Sequence, residues 1–389
     1  MRQLENTVTN SKKIIIIGDS QSHFAAIATL GVPPYRSYPA ILMECLNKKG
    51  KQVKVASFGI SGYHTAQMLG NAKRHFYIDT PIMGIIYGGV NDVFTNITGT
   101  ATVGSSSTIT LASSASAIFN SYVGQQISIT SGTGSGQTKT IIGYSTSKVA
   151  TVDSVWIVTP DATSVYAVSA PTLAQLTSFQ QALVKTLKYA VKGKVDDVAV
   201  SVWGQSSLPT DARIGDRYLV YSDNSTTGGN RNISGNMNPT ITGDYSASPI
   251  QSVWEYRNSR AGESGWGRVA IAGTPAFSDG VKDVIIVSAN YLNYTTGGDN
   301  YPSVYSPYAN LRTAQANAAT NEGVYFCNLY DYQRKLITGG IFEGNTLVQE
   351  VTQGSFDWHY ADGNQHYNSY GNQLVARAIL STIETNHII

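Results

Sequence analysis

Four consecutive isoleucines at 14–17 constrain the fold more than any other feature of the sequence. A strand with one face in water alternates apolar and polar residues, whereas a strand covered on both faces is an unbroken apolar run. Comparable short runs are VKVASF (53–58), PIMGIIYGG (81–89), KDVIIVSANY (282–291) and VYFCNLY (324–330). These runs predict five strands of a parallel sheet that is covered by helices.

Segments with helical spacing of apolar residues lie between these runs or after them. They are 37–49, 65–76, 173–193, 307–323 and 371–386. Alternation of buried strands with helices is the pattern of an α/β domain. We therefore predict the α/β class.

Two stretches of different composition interrupt the alternation. Residues 97–172 are rich in Thr, Ser, Gly and Val, carry four charged side chains, and contain short β-prone runs separated by turn clusters such as SGTGSGQ. A second stretch, about 197–278, is rich in Gly, Asn and aromatic residues. The predicted organisation is a discontinuous α/β domain of 1–94, 173–196 and 279–389, with all-β modules at 95–172 and 197–278.

Composition argues against several classes of function. Charged residues are 13% of the 389, and the formal net charge is +2, so the chain has no basic surplus for nucleic acid. No apolar run approaches the ~20 residues of a membrane span, and MRQLENTVTNSKK lacks the apolar core of a signal peptide. Cys45 and Cys327 are expected to be free thiols. The histidines are scattered, so we expect no metal site and no cofactor.

Polar clusters follow the first three predicted strands, and another precedes the last helix. They are GDSQS (18–22), SFGISG (57–62), GGVND (88–92) and DWHYADGNQHYNSYG (357–371). A Gly-Asp-Ser after a strand is, by itself, most often a turn and a helix N-cap. Ligands of parallel α/β sheets, however, bind beyond the carboxyl ends of the strands. We expect a serine, a glycine, an asparagine and a histidine to converge there.

Together the four blocks resemble those of the SGNH hydrolases, the GDSL-type esterase family. The resemblance of GDSQS makes Ser20 the nucleophile, and that of DGNQHYNSYG makes His366 the general base. SFGISG and GGVND are similar to the family's second and third blocks, which makes Gly62 a backbone donor and Asn91 a side-chain donor. The resemblance covers roughly 12–94, 173–193 and 282–386. It implies a flavodoxin-like three-layer α/β/α SGNH hydrolase domain with a five-stranded parallel sheet.

One departure from the family pattern concerns the acid that would orient His366. The family places an aspartate three residues before the histidine, but Gly363 stands there and Asp362 lies four before. Asp362 is the favoured acid, through a one-residue bulge. Asp357, or a Ser–His dyad supported by a backbone carbonyl, is the alternative. His359 is also nearby, but the H-Y-N-x-x-G context favours His366.

The chemistry of these residue types agrees with the resemblance. A serine hydroxyl becomes nucleophilic when an imidazole takes its proton, and a partner on the other ring nitrogen orients that imidazole. The backbone N–H groups of Ser20 and Gly62 and the amide of Asn91 can form an oxyanion hole. Loss of one such donor typically costs ~10²–10³ in rate. We expect a serine esterase that cleaves carboxylic esters through an acyl-serine. Asp19 is expected to brace the loop.

The sequences of the two inserts indicate the class of substrate and the partners. GSGQTKTIIGYSTSKVATVDSVWIVTPDATSVY and LPTDARIGDRYLVYSD resemble β modules of bacteriophage tail proteins. The resemblance implies a virion-borne or extracellular enzyme that removes O-acetyl groups from a bacterial surface polysaccharide, a capsule or an O-antigen. Trp203, Trp254 and Trp266 either stack on sugars or fill a module core.

Other partners and functions stay open at this point. Other phage tail proteins are candidate partners, and the inserts could form a homotrimer contact, whereas nucleic acid and membranes are not expected. The alternative functions are a lipase or thioesterase that acts on acyl esters, and a receptor-binding tail protein without catalysis.

Overall fold

The computed structural model describes thirteen parts of the chain. They are residues 12–23, 31–76, 81–94, 97–189, 193–195, 217–220, 252–258, 264–271, 283–290, 302–337, 341–343, 346–349 and 366–389. The strands are β1 (Lys12–Gly18), β2 (Val53–Ser57), β3 (Met83–Tyr87), β4 (Ile97–Thr100), β5 (Val103–Gly104), β6 (Thr108–Thr110), β7 (Gln126–Ser131), β8 (Thr138–Tyr144), β9 (Val149–Val152), β10 (Val165–Ser169), β11 (Gly193–Val195), β12 (Arg217–Val220), β13 (Ser252–Asn258), β14 (Ser264–Ile271), β15 (Asp283–Val287), β16 (Tyr325–Cys327), β17 (Ile341–Glu343) and β18 (Thr346–Gln349). The helices are α1 (Tyr38–Lys48), α2 (Thr65–Phe76), α3 (Leu173–Tyr189), α4 (Pro302–Glu322), α5 (Leu329–Ile337) and α6 (Ser369–Thr385), and 3-10 turns cover Ser20–Ser22, Pro34–Arg36 and Val90–Phe94.

A five-stranded parallel sheet has the order β2-β1-β3-β15-β16. This is the flavodoxin-like order, and it confirms the predicted α/β class and five-stranded parallel sheet. Each of the five apolar runs contributes a strand. The last run was predicted too long, because its strand ends at Cys327 and α5 begins at Leu329. Asn328 starts that helix, since its Oδ1 accepts the Asp331 N–H at 3.2 Å.

Helices cover both faces of this sheet and make three layers. Side chains of a strand alternate between faces, so Ile14 and Ile16 pack with α1 and α6, while Ile15 and Ile17 pack with α2, α3 and α4. All four isoleucines are fully buried. Burial of one such side chain contributes roughly 1.5–3 kcal/mol, so the run anchors the sheet centre that precedes Ser20.

Residues 97–169 form a separate seven-stranded sheet with the order β4-β10-β7-β8-β9-β6-β5. Its strand pairs are antiparallel. Its core is continuous with apolar residues of the α/β part of the chain, which include Val90, Val93, Leu176, Phe179 and Tyr308. Val90 follows the carboxyl end of β3, so this insert packs beside the edge of the sheet where the candidate site lies.

A four-stranded sheet has the order β11-β12-β13-β14, and β17 and β18 form an antiparallel pair. β11 pairs with β12, although its residues belong to the segment that we assigned to the α/β domain. Trp254 in β13 is buried and therefore fills a core rather than an open sugar-binding surface. Trp203 and the Trp266 side chain lie outside what the structure describes.

The helix ends differ from the predicted ends by up to five residues. α4 begins at Pro302 rather than at 307, because the fixed φ and missing N–H of proline suit the first position of a helix. α3 ends at Tyr189, before β11 begins at Gly193. In the described ranges, no helix combines the length and apolarity that a bilayer span requires. Cys45 and Cys327 are free thiols.

Candidate active site

Ser20 and His366 meet at the carboxyl edge of the parallel sheet. They are 346 positions apart in the chain, and His366 Nε2 lies 2.9 Å from Ser20 Oγ. At this distance an imidazole can accept the hydroxyl proton. Ser20 is buried and is the first residue of the 3-10 turn that follows β1. The fold therefore places the predicted nucleophile and the predicted base in direct contact.

The N-terminus of α6 fixes the backbone that follows His366. Asn368 caps this helix, because its Oδ1 accepts the N–H groups of Tyr370 at 2.9 Å and Gly371 at 3.2 Å. His366 lies only two residues before this cap. The sequence motif H-Y-N-S-Y-G thus contains both the predicted base, His366, and Asn368, the helix cap that fixes the backbone next to it.

Asn372 joins the His366 segment to α1. Its Nδ2 donates to the Tyr367 carbonyl at 3.2 Å, and its Oδ1 accepts the Tyr38 N–H at 2.9 Å. Tyr367 is buried, and its hydroxyl accepts a hydrogen bond from Gln333 Nε2 at 2.6 Å. Sequence reasoning missed Asn372, whose local signal is a polar residue on the buried side of an otherwise apolar helix face.

Asp19 braces the turn that carries Ser20. Its Oδ1 accepts the Gln21 N–H at 3.0 Å, and its Oδ2 accepts the Gly89 N–H at 3.0 Å. The first polar block is thereby tied to the third. Burial raises the pKa of the Asp19 carboxyl to about 6; the backbone N–H bonds oppose this rise, and the nearby Asp92 charge adds to it.

Stability is expected to fall with rising pH through the titration of Asp19. The unfolded carboxyl loses its proton near its ordinary pKa of 3.8, whereas the folded one keeps it up to about pH 6. The folded state therefore binds more protons in this window, and the free energy of unfolding decreases there by up to roughly 3 kcal/mol from this group. Urea denaturation of the wild type and of Asp19→Asn between about pH 4 and 7 measures the effect.

The informative quantity is the difference in unfolding free energy, wild type minus Asp19→Asn. It should shrink as the pH rises, because the variant has no carboxyl to ionise. A difference that grows with pH would mean that the folded state favours the carboxylate, contrary to this assignment.

Gly62 lies in a turn just before α2, and its φ is +75°. This left-handed conformation favours glycine. The loop before it packs on the Ser20 turn, because the Ile60 N–H donates to the Gly18 carbonyl at 3.3 Å and the Ser61 N–H donates to His23 Nδ1 at 3.2 Å. Gly62 therefore belongs to a loop held next to the nucleophile.

Asn91 is linked to the same loop. Its Nδ2 donates to the Tyr63 carbonyl at 2.9 Å, one residue after Gly62. An amide nitrogen carries two hydrogens, so Asn91 can hold Tyr63 and still donate to an oxyanion. The second and third polar blocks are thus connected through one of the candidate donors.

Asp92 holds the start of α2, and sequence reasoning missed this role. Its Oδ2 accepts the Thr65 N–H at 3.0 Å and the Thr65 hydroxyl at 2.5 Å. His64 Nδ1 lies 3.3 Å from its Oδ1. Asp92 is buried. Adjacent Asn91 and Asp92 therefore both fasten the loop that carries Gly62, and this adjacency was the available signal.

Asp362, Asp357 and His359, the residues predicted around the base, lie outside the described residues, which resume at 366. The acid that orients His366 stays a prediction. Within the described part of the chain, no group of three or more His, Cys, Asp or Glu residues could hold a metal ion.

Comparison with known proteins gives a likeness of fold only. No family model and no curated protein matches the sequence. A GDSL-like lipase candidate from Parabacteroides merdae is 10% identical over 98% of this chain and 99% of its own, with a TM-score of 0.43. An acetylxylan esterase from Geobacillus stearothermophilus is 11% identical over 96% of this chain and 94% of its own, with a TM-score of 0.41. A lipase/acylhydrolase from Enterococcus faecalis is 10% identical over 96% of each chain, with a TM-score of 0.38.

Proposed function

We propose that this protein is a serine esterase that hydrolyses carboxylic esters through an acyl-serine intermediate. The contact of 2.9 Å between His366 Nε2 and Ser20 Oγ carries this proposal. His366 takes the hydroxyl proton as Oγ attacks the ester carbonyl carbon, and returns it to the departing alcohol oxygen. In the second half, His366 takes a proton from water, the hydroxide oxygen attacks the acyl carbonyl, and Ser20 Oγ leaves and regains the proton.

The proposed oxyanion hole has three donors. They are the N–H groups of Ser20 and Gly62 and the side-chain amide of Asn91. Three hydrogen bonds support this role, because they join the three loops into one unit before substrate arrives: Asp19 accepts from Gly89, Asn91 donates to Tyr63, and Asp92 accepts from Thr65. Donors that are held in place in advance stabilise the developing charge without reorganisation during the reaction.

The proposed substrates are O-acetyl esters on a bacterial surface polysaccharide, a capsule or an O-antigen, and the proposed location is a phage tail. The resemblance of the inserts to phage tail modules supports this assignment. The apolar core that the first insert shares with Val90 and Val93 holds that insert beside the catalytic edge, where it could contact a large substrate. Other tail proteins and further copies of this chain are proposed partners.

Release of acetate from acetylated bacterial polysaccharide tests the proposal. We expect wild-type protein to release acetate at least ~10²-fold faster than the Ser20→Ala variant, which lacks the nucleophile. Acetate can be quantified by proton NMR on the same samples. Preference for long-chain acyl esters would indicate a lipase or thioesterase instead, and binding of polysaccharide without acetate release would indicate a receptor-binding protein.

A further inference from the structure

A loop of the first insert, residues 116–121, lies against the candidate oxyanion hole. A Cβ built on Gly62 would be 3.8 Å from Ile118 Cδ1, which is ordinary van der Waals contact. Gln67 in α2 donates from its side-chain nitrogen to the Phe119 carbonyl. The 116–121 loop is therefore joined to the α/β part of the chain at the candidate site itself.

Internal hydrogen bonds hold the 116–121 loop in one conformation. The Ser121 hydroxyl donates to the Ile118 carbonyl at 2.9 Å, and the Tyr144 hydroxyl donates to the Ser116 carbonyl at 2.6 Å. Beneath the loop, Tyr122 and Tyr144 are buried and pack edge to face, with ring centroids 4.8 Å apart. A loop supported in this way presents its outer side chains at defined positions.

The outer side chains are Ile118 and Phe119, which are 46% and 61% exposed. A single exposed apolar residue needs no explanation. Here two adjacent ones lie on a well-supported loop, and Ile118 lies beside the glycine that would bind the ester oxygen. An ester bound at the Gly62 N–H would lie near Ile118, and Phe119 is the next residue along the loop.

We propose that Ile118 and Phe119 form a subsite that binds the alcohol part of the ester. This inference rests on the proposed function, which places the ester oxygen at Gly62. Both side chains are open on one side. An open surface fits the larger group that extends out of the site, whereas an acetyl group requires a small enclosed space. An exposed phenyl ring offers a flat apolar face to the C–H face of a pyranose ring.

Three esters distinguish binding of the alcohol part of the substrate from binding of the acyl part. Ethyl acetate has a small alcohol part, an O-acetylated methyl pyranoside has a large one, and ethyl butyrate changes only the acyl part. We expect Phe119→Ser and Ile118→Ser each to lower kcat/KM for the acetylated pyranoside about 10-fold, mainly through KM. The ratio of ethyl acetate to ethyl butyrate hydrolysis should stay unchanged.

Ile157→Ser is the matched control. Ile157 is 86% exposed on the same insert. Its N–H donates to Gln137 Oε1 at 2.6 Å, just before β8, whereas the 116–121 loop bonds to Tyr144 at the other end of that strand. A seven-residue strand is about 20 Å long. The control variant should therefore have wild-type kcat and KM with all three substrates.

Three results would overturn the proposed subsite. They are an unchanged KM for the pyranoside in Phe119→Ser and Ile118→Ser, an equal effect of Ile157→Ser, and a change in the ratio of ethyl acetate to ethyl butyrate hydrolysis. Absence of Ser20-dependent ethyl acetate hydrolysis by wild-type protein would refute the proposed function separately. In that case, saturation-transfer NMR of the acetylated pyranoside with Ser20→Ala protein tests the subsite alone. Phe119→Ser should remove the transfer to the ring protons, and transfer that persists would overturn the subsite.

Discussion

Replacement of Ser20 by alanine should lower kcat for acetyl ester hydrolysis by roughly 10⁴- to 10⁶-fold. The variant has no hydroxyl to attack the carbonyl, so His366 has no proton to accept from the protein. The variant should still fold, with a loss of stability of about 1 kcal/mol, because the change removes one buried oxygen and its hydrogen bond with His366. Steady-state hydrolysis of ethyl acetate and urea denaturation measure the two quantities.

Ser22→Ala is the matched control for Ser20→Ala. Ser22 lies in the same 3-10 turn, but its hydroxyl is 2.6 Å from the Tyr38 hydroxyl rather than near His366. Its loss should reduce stability by about 1 kcal/mol and leave kcat within about 10-fold of wild type. Substantial turnover by folded Ser20→Ala would show that another group is the nucleophile.

Replacement of His366 by glutamine should lower kcat by roughly 10³-fold or more, because no base remains to take the Ser20 proton. The double variant Ser20→Ala/His366→Gln should be about as slow as Ser20→Ala alone, since the two residues act as one unit. The rate constants of the three variants with ethyl acetate check both statements. Additive losses would contradict the direct partnership that the contact of 2.9 Å indicates.

His359→Gln is the control for this second experiment, since His359 is the other histidine in the block. It should retain wild-type kcat. The same assay with Asp362→Asn and Asp357→Asn identifies the orienting acid, because only the acid that holds the imidazole should affect kcat strongly. We expect the loss at Asp362.

Local patterns were enough for the elements that build the parallel sheet. Ile14–Ile17 and the other apolar runs identify strands because side chains that alternate between two covered faces must all be apolar. α5 was missed because VYFCNLY is apolar apart from Asn328, so the pattern does not show that this residue ends the strand and caps a helix. For Trp254, the pattern favoured a module core over sugar stacking, and its burial agrees with the core.

The sequence identified the candidate catalytic residues but not the residues that hold their loops in place. Ser20, Gly62, Asn91 and His366 stand in recognisable blocks. The local patterns around Asp92, Asn372 and Gln67 do not show which groups these polar residues bind. Their roles depend on partners in other elements, such as the Tyr38 N–H of α1, which donates to Asn372 Oδ1.

The sequence by itself determined the five strands of the parallel sheet, most of the helices and the order of the polar blocks, because strand and helix periodicities act over a few residues. Only the tertiary structure decided that His366 lies 2.9 Å from Ser20, and that Ile118 of an insert lies beside Gly62. These contacts join residues far apart along the chain. Their distances follow from how the helices pack on the sheet and how the insert packs against the α/β part of the chain, which no local pattern encodes.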